Sequence, residues 1–125
     1  MGENTKLMSI VFTIDDPLIT REYPSDIVKF QSFTTVQTNT SLWTPASGKS
    51  IFLTAIQASA AVPIAIQLNR AGNAPFFSII LTSTQATSSA SFPSPIQLEP
   101  DEGITVTTNA AGTVNITLIG YELEI

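Results

Sequence analysis

The chain has no cysteine and no histidine. Without cysteine there is no disulfide scaffold and no thiolate metal site. Without histidine the chain lacks the side chain that most often moves protons near neutral pH, and the commonest zinc ligand. Charge is sparse too: 12% of the 125 residues are charged, and the formal net charge is −5. The only cations are Lys6, Arg21, Lys29, Lys49 and Arg70, scattered along the chain. Binding to nucleic acid or anionic membrane needs clustered cations that displace counterions, so neither is expected. No apolar run approaches the ~20 residues of a membrane-spanning helix. Leu7–Ile14 is short and runs into Asp15-Asp16 with no small-residue cleavage site, which does not fit a signal peptide. Met1-Gly2 lacks the Ser or Thr at position 6 that myristoylation requires. Synthesis and folding in a cytoplasm are expected.

What is present is a series of short Thr-, Ser-, Ile- and Val-rich segments cut by Pro, Gly and Asn. β-Branched residues in alternation fit a pleated, half-buried strand better than a helix. Phe33–Leu42, Ser50–Ser59, Pro63–Asn69, Phe76–Thr82, Ile104–Thr108 and Thr113–Ile125 all read as strands. Phe92–Leu98 contains Pro93 and Pro95, which confine it to a sheet edge or a sheet-crossing segment. Thr84–Ser91 reads as a loop. Turn chemistry separates the segments at Thr44–Gly48, Ala71–Pro75, Glu99–Gly103 and Asn109–Gly112. About eight strands at regular spacing predict an all-β fold, an antiparallel sandwich or barrel.

Residues 1–31 differ from the rest. They hold five of the ten acidic residues: Glu3, Asp15, Asp16, Glu22 and Asp26. In Met8–Ile14, alternation places Met8, Ile10, Phe12 and Ile14 on one face. This region is read as an N-terminal arm or added edge strand, with a short helical turn permitted after Ser25. Residues 32–125 are read as the sandwich domain.

The inventory for catalysis is poor. A glycosidase needs two carboxylates about 5–9 Å apart. Its candidates, Asp15, Asp16, Glu99, Asp101, Glu102, Glu122 and Glu124, all sit in turns or near a terminus, where solvated carboxylates are expected. The acidic turn Glu99–Gly103 matches no calcium-loop spacing. No catalytic residue, cofactor or metal is assigned. Trp43 is either a lid on the core or a stacking platform for a sugar.

Three strands carry apolar residues on both faces. In Ser50–Ser59, Ile51, Leu53 and Ala55 face one way, and Phe52 and Ile56 the other. Phe76–Thr82 opposes Phe77, Ile79 and Leu81 to Phe76 and Ile80. In the last strand Ile119, Tyr121, Leu123 and Ile125 run out of phase with Val114, Ile116 and Leu118. A monomeric antiparallel sandwich keeps one face of each sheet wet. Two-faced strands therefore predict cover from another subunit or from the arm. The candidate interface residues are Met8, Ile10, Phe12, Phe76, Ile80, Ile119, Tyr121 and Leu123.

Three segments carry a resemblance. They are Trp43-Thr44-Pro45-Ala46-Ser47-Gly48-Lys49-Ser50-Ile51, Pro95-Ile96-Gln97-Leu98 with the acidic turn before Ile104-Thr105-Val106, and Val114-Asn115-Ile116-Thr117-Leu118-Ile119-Gly120-Tyr121-Glu122. In these the chain resembles the small jelly-roll proteins that decorate the heads of tailed bacteriophages. The resemblance covers residues 32–125 and leaves the arm unassigned. It implies a jelly-roll sandwich, a homotrimer, and binding to the major capsid protein lattice on the head surface of the virion. It implies no catalytic residues. Related jelly rolls also serve in phage tails and receptor-binding parts, so a tail-tip module gripping cell-surface glycan stands as the alternative.

Overall fold

The computed structural model describes residues 25–70 and 74–124. Eight strands follow in order: β1 (Ile27–Phe33), β2 (Thr40–Trp43), β3 (Lys49–Ala60), β4 (Ile64–Arg70), β5 (Ala74–Leu81), β6 (Thr87–Gln97), β7 (Ile104–Thr108) and β8 (Val114–Glu124). They form two four-stranded antiparallel sheets, in the orders β1-β8-β3-β6 and β2-β7-β4-β5. The pairing is nested. β1 pairs with β8, β2 with β7, β3 with β6 and β4 with β5. One long antiparallel ribbon has thus been rolled up, and the β3–β8 and β4–β7 pairings close each sheet. This is the jelly roll, a two-sheet sandwich of eight strands.

Burial explains the alternation. β7 and the first half of β8 bury every second residue: Ile104 and Val106, then Val114, Ile116 and Leu118. The same core holds Leu53, Ile56, Ile66 and Leu68, each no more than 1% exposed. Trp43 is 1% exposed and belongs to this core, which settles its role against a sugar platform.

Several expectations change. Residues 34–39 form a loop, so the predicted Phe33–Leu42 strand is two pieces, the end of β1 and all of β2. Asn39 has a φ of 47°, which breaks an extended run. The segment after Ser25 is not a helical turn but the approach to β1. β1 also spans the boundary drawn between residues 31 and 32. β6 begins at Thr87, inside the predicted loop, and lies at a sheet edge, where Pro93 and Pro95 are tolerated.

The most consequential difference is in β3. A register shift between Leu53 and Ala55 inserts a bulge. Ile51 and Leu53 point inward before it, and Ile56 and Ala58 point inward after it. The apparent second apolar face of this strand is largely that change of phase. Beside the bulge lies Gly120, where a methyl group would run into the Phe52 carbonyl.

Chain direction defines two ends of the sandwich. One end carries residues 34–39, 61–63, 82–86 and 109–113, and none of these is charged. At the other end lie Lys49, Arg70, Glu99, Asp101, Glu102, Glu122 and Glu124. Apart from Lys29 in β1, every charged residue described lies at or next to this second end.

Candidate functional site

Three carboxylates at the charged end brace loops. Glu122 Oε2 accepts from Trp43 Nε1 at 2.7 Å, and its Oε1 accepts from the Ala46 amide at 3.0 Å. Asp101 Oδ1 accepts from the Gly48 amide at 2.6 Å. Glu102, 8% exposed, accepts on Oε1 from Arg70 Nη2 at 2.8 Å and from the Glu99 amide at 2.9 Å. These contacts engage the acids in loop geometry. Among the described residues no three Asp or Glu side chains come together as a metal site. Asp15 and Asp16 lie outside the described residues.

The outer face of the β1-β8-β3-β6 sheet is different. Residues paired across antiparallel strands share a face, so the register reads off as cross-strand rows. The row nearest the uncharged end is Ser32, Asn115, Ser59 and Thr87. Next comes Phe30, Thr117, Gln57 and Ser89, followed by Val28, Ile119, Ala55 and Ser91. Then come Tyr121, Phe52 and Gln97, and last Leu123 with Ser50. None of these side chains is charged. The face therefore divides into a hydroxyl and amide half and an apolar half. Val28 and Phe30 are each 61% exposed. The Phe52 and Tyr121 rings stack at 5.0 Å, which gives the apolar half a flat aromatic floor.

Within the hydroxyl and amide half lies a shallow trough of about 390 Å³, bordered by Phe30, Gln57, Ser59, Thr87, Asn115 and Thr117. It offers hydroxyl and amide groups and one aromatic edge, with no group that titrates. Such a lining suits a neutral polar ligand or a protein surface and gives no means for acid–base chemistry.

The predicted interface residues divide between the two sheets. Ile119, Tyr121 and Leu123 lie half-buried along β8. Ile80 is on β5 in the other sheet, on the opposite side of the sandwich, and is 72% exposed. Phe76, also on β5, is half-buried and packs against the core. Met8, Ile10 and Phe12 lie outside the described residues. Sequence reasoning missed Val28 and Phe30. The signal is present in the alternation of Val28, Phe30 and Ser32 against Ile27, Lys29 and Gln31, but it falls inside the segment read as an arm.

The β2-β7-β4-β5 sheet is also uncharged outside, and several of its polar groups bond to one another, although the buried Thr105 hydroxyl has no partner among the described residues. Asn69 Nδ2 donates to Asn39 Oδ1 and to Thr107 Oγ1, both at 3.1 Å. Gln67 lies between Thr107 and Ser78 in register. The Asn69 network fastens the 34–39 loop to the sheet.

No protein-family model matches the chain, and no curated protein matches it. Among solved structures it is similar to a chain in the cryo-EM structure of the giant freshwater prawn Macrobrachium rosenbergii extra small virus VLP. The identity is 13%, 98% of this chain and 94% of that chain are covered, and the TM-score is 0.36. A likeness that distant carries no argument about function.

Proposed function

We propose that this chain is a non-enzymatic structural protein of a virion, a decoration protein that binds the assembled phage head shell as an oligomer and stabilises it. The observation that carries this reading is the outer face of the β1-β8-β3-β6 sheet. It is broad, free of charge, and half apolar, with Val28 and Phe30 open to solvent. A surface of that kind gains by removing apolar area from water, at roughly 25 cal/mol per Å². Repetition over a lattice multiplies weak single contacts into strong occupancy. The trimer and the capsid-protein partner follow from the sequence resemblance.

The test is co-sedimentation with empty shells of the parent phage. Wild-type protein should saturate at a fixed stoichiometry. The double variant Val28→Ser/Phe30→Ser should keep its circular dichroism spectrum and lose most of its occupancy. Full occupancy by the folded double variant would remove this face from the contact, and absence of wild-type binding would remove the decoration role.

The neutral trough beside Phe30 favours a second reading, a tail-tip module that grips cell-surface glycan. A glycan array separates the two. Specific hits lost on Gln57→Ala would support the glycan reading, whereas an empty array together with shell binding supports decoration.

A further inference from the structure

The two sheets treat their amide side chains differently. On the β2-β7-β4-β5 side Asn69 Nδ2 donates to Asn39 Oδ1 at 3.1 Å, and Asn109 Oδ1 accepts from the Ala65 amide at 2.8 Å. Gln37 Oε1 accepts from Thr40 Oγ1 at 2.7 Å. On the β1-β8-β3-β6 side Asn115 and Gln57 make no side-chain hydrogen bond among the described residues, and neither do Ser59 and Thr87 beside them. Asn115 is the one described asparagine whose amide is left to solvent or to a ligand.

These free groups line adjoining hollows. The trough beside Phe30 shares Gln57 and Thr87 with a second hollow of about 320 Å³, which Gln85, Ser88 and Ser89 complete. Together they form a groove across the sheet from β1, over β8 and β3, to β6 and the loop before it. Three inter-strand steps of about 4.8 Å make a span of roughly 14 Å. One sugar ring would leave much of it empty, whereas a short chain of rings would fill it.

The lining selects a ligand by charge and by hydrogen-bonding type. It holds no charged residue, and no described cation lies on this face. Lys29 is on the inward side of β1, and Lys49 and Arg70 are at the charged end. A carboxylate, sulfate or phosphate brought here would lose water and gain no counter-charge. Amides and hydroxyls both donate and accept, as a sugar hydroxyl does. Phe30, 61% exposed at the β1 end of the groove, offers an open ring to the apolar face of a pyranose.

We infer that this groove binds a short, neutral oligosaccharide, lying across the strands with one ring against Phe30 and its hydroxyls bonded to Asn115 and Gln57. This rests on the glycan reading above and adds the charge class of the ligand, its direction on the sheet and the residues that hold it. It leaves the apolar half of the face, with Val28, Ile119 and the Phe52–Tyr121 stack, to the shell.

The test is a glycan array carrying neutral and acidic oligosaccharides of matched length, read with the full-length protein. The strongest hit is then titrated in solution. Hits should be confined to neutral oligosaccharides, and the corresponding monosaccharide should bind far more weakly. Asn115→Ala and Gln57→Ala should each weaken binding about fivefold, the loss of one ordinary hydrogen bond. Both should keep the circular dichroism spectrum and the shell occupancy of the wild type. Gln67→Ala, the same change on the opposite sheet, should leave the affinity unaltered. Hits confined to acidic oligosaccharides would overturn the inference and leave the glycan reading standing. So would a neutral hit that survives Asn115→Ala and Gln57→Ala combined. An empty array would overturn both. Loss of shell occupancy rather than of sugar binding in these variants would assign the groove to the protein contact, and would overturn the inference as well.

Discussion

The indole N–H of Trp43 donates to Glu122 Oε2 at 2.7 Å, joining β2 of one sheet to β8 of the other. The second carboxylate oxygen holds the Ala46 amide of the following loop. Glu122→Ala strands a buried indole donor, and a hydrogen bond to a charged group contributes about 1.5–3 kcal/mol. Urea denaturation should therefore show a loss of about 2 kcal/mol for Glu122→Ala, and a smaller loss for Glu122→Gln, which keeps an acceptor. Equal losses for the two would mean that the bond to Trp43 is not what holds the sheets here.

The Arg70–Glu102 pair makes a similar tie at 2.8 Å, with side chains 30% and 6% exposed. Arg70→Ala leaves the buried carboxylate without that cation. The partial exposure of Arg70 moderates the effect, so the expected loss is about 2 kcal/mol rather than the larger cost of a fully buried pair. A double-mutant cycle with Glu102→Gln should recover part of it. Strict additivity would show that the two residues do not couple.

Ser50 is fully buried, and its hydroxyl has no hydrogen-bond partner among the described residues. Removing a buried, unsatisfied polar group relieves a desolvation cost. Ser50→Ala should raise the unfolding free energy by about 1 kcal/mol, read from the midpoint at unchanged denaturant slope. A loss of stability would point to a hydrogen bond made outside the described residues.

Association through an uncharged face should be nearly indifferent to ionic strength. Between about 50 and 500 mM NaCl, occupancy on shells should change less than about twofold, since screening acts only on charges. Contact through the charged end, with Glu99, Asp101 and Glu102, would instead give a steep salt dependence. Light scattering and sedimentation across that range decide between the two surfaces.

Much of this architecture was legible in residue pattern. The alternation in β4, β7 and the first half of β8 marked the core face, and the prolines of β6 marked an edge. The β3 bulge was written as a break in phase. Ile51 and Leu53 keep one alternation, Ile56 and Ala58 keep another, and a period-two reading across both turns the break into a second face. The β1 boundary was obscured because Thr34, Thr35 and Val36 suit a strand as well as Phe33 does. The loop's bonds to β7, including Gln37 N to Thr108 Oγ1 at 2.9 Å, hold it out of the sheet. The roles of Glu102 and Glu122 depend on partners 32 and 79 residues away, which no local spacing reveals.

The nested ribbon also governs when the molecule can form. β8, made last of the eight strands, occupies an interior position between β1 and β3. Until residues 114–124 leave the ribosome, β1 has no neighbour and that half of the sandwich cannot close. Long-range pairing of this kind folds slowly, so nascent chains must wait with β1 and β3 unjoined.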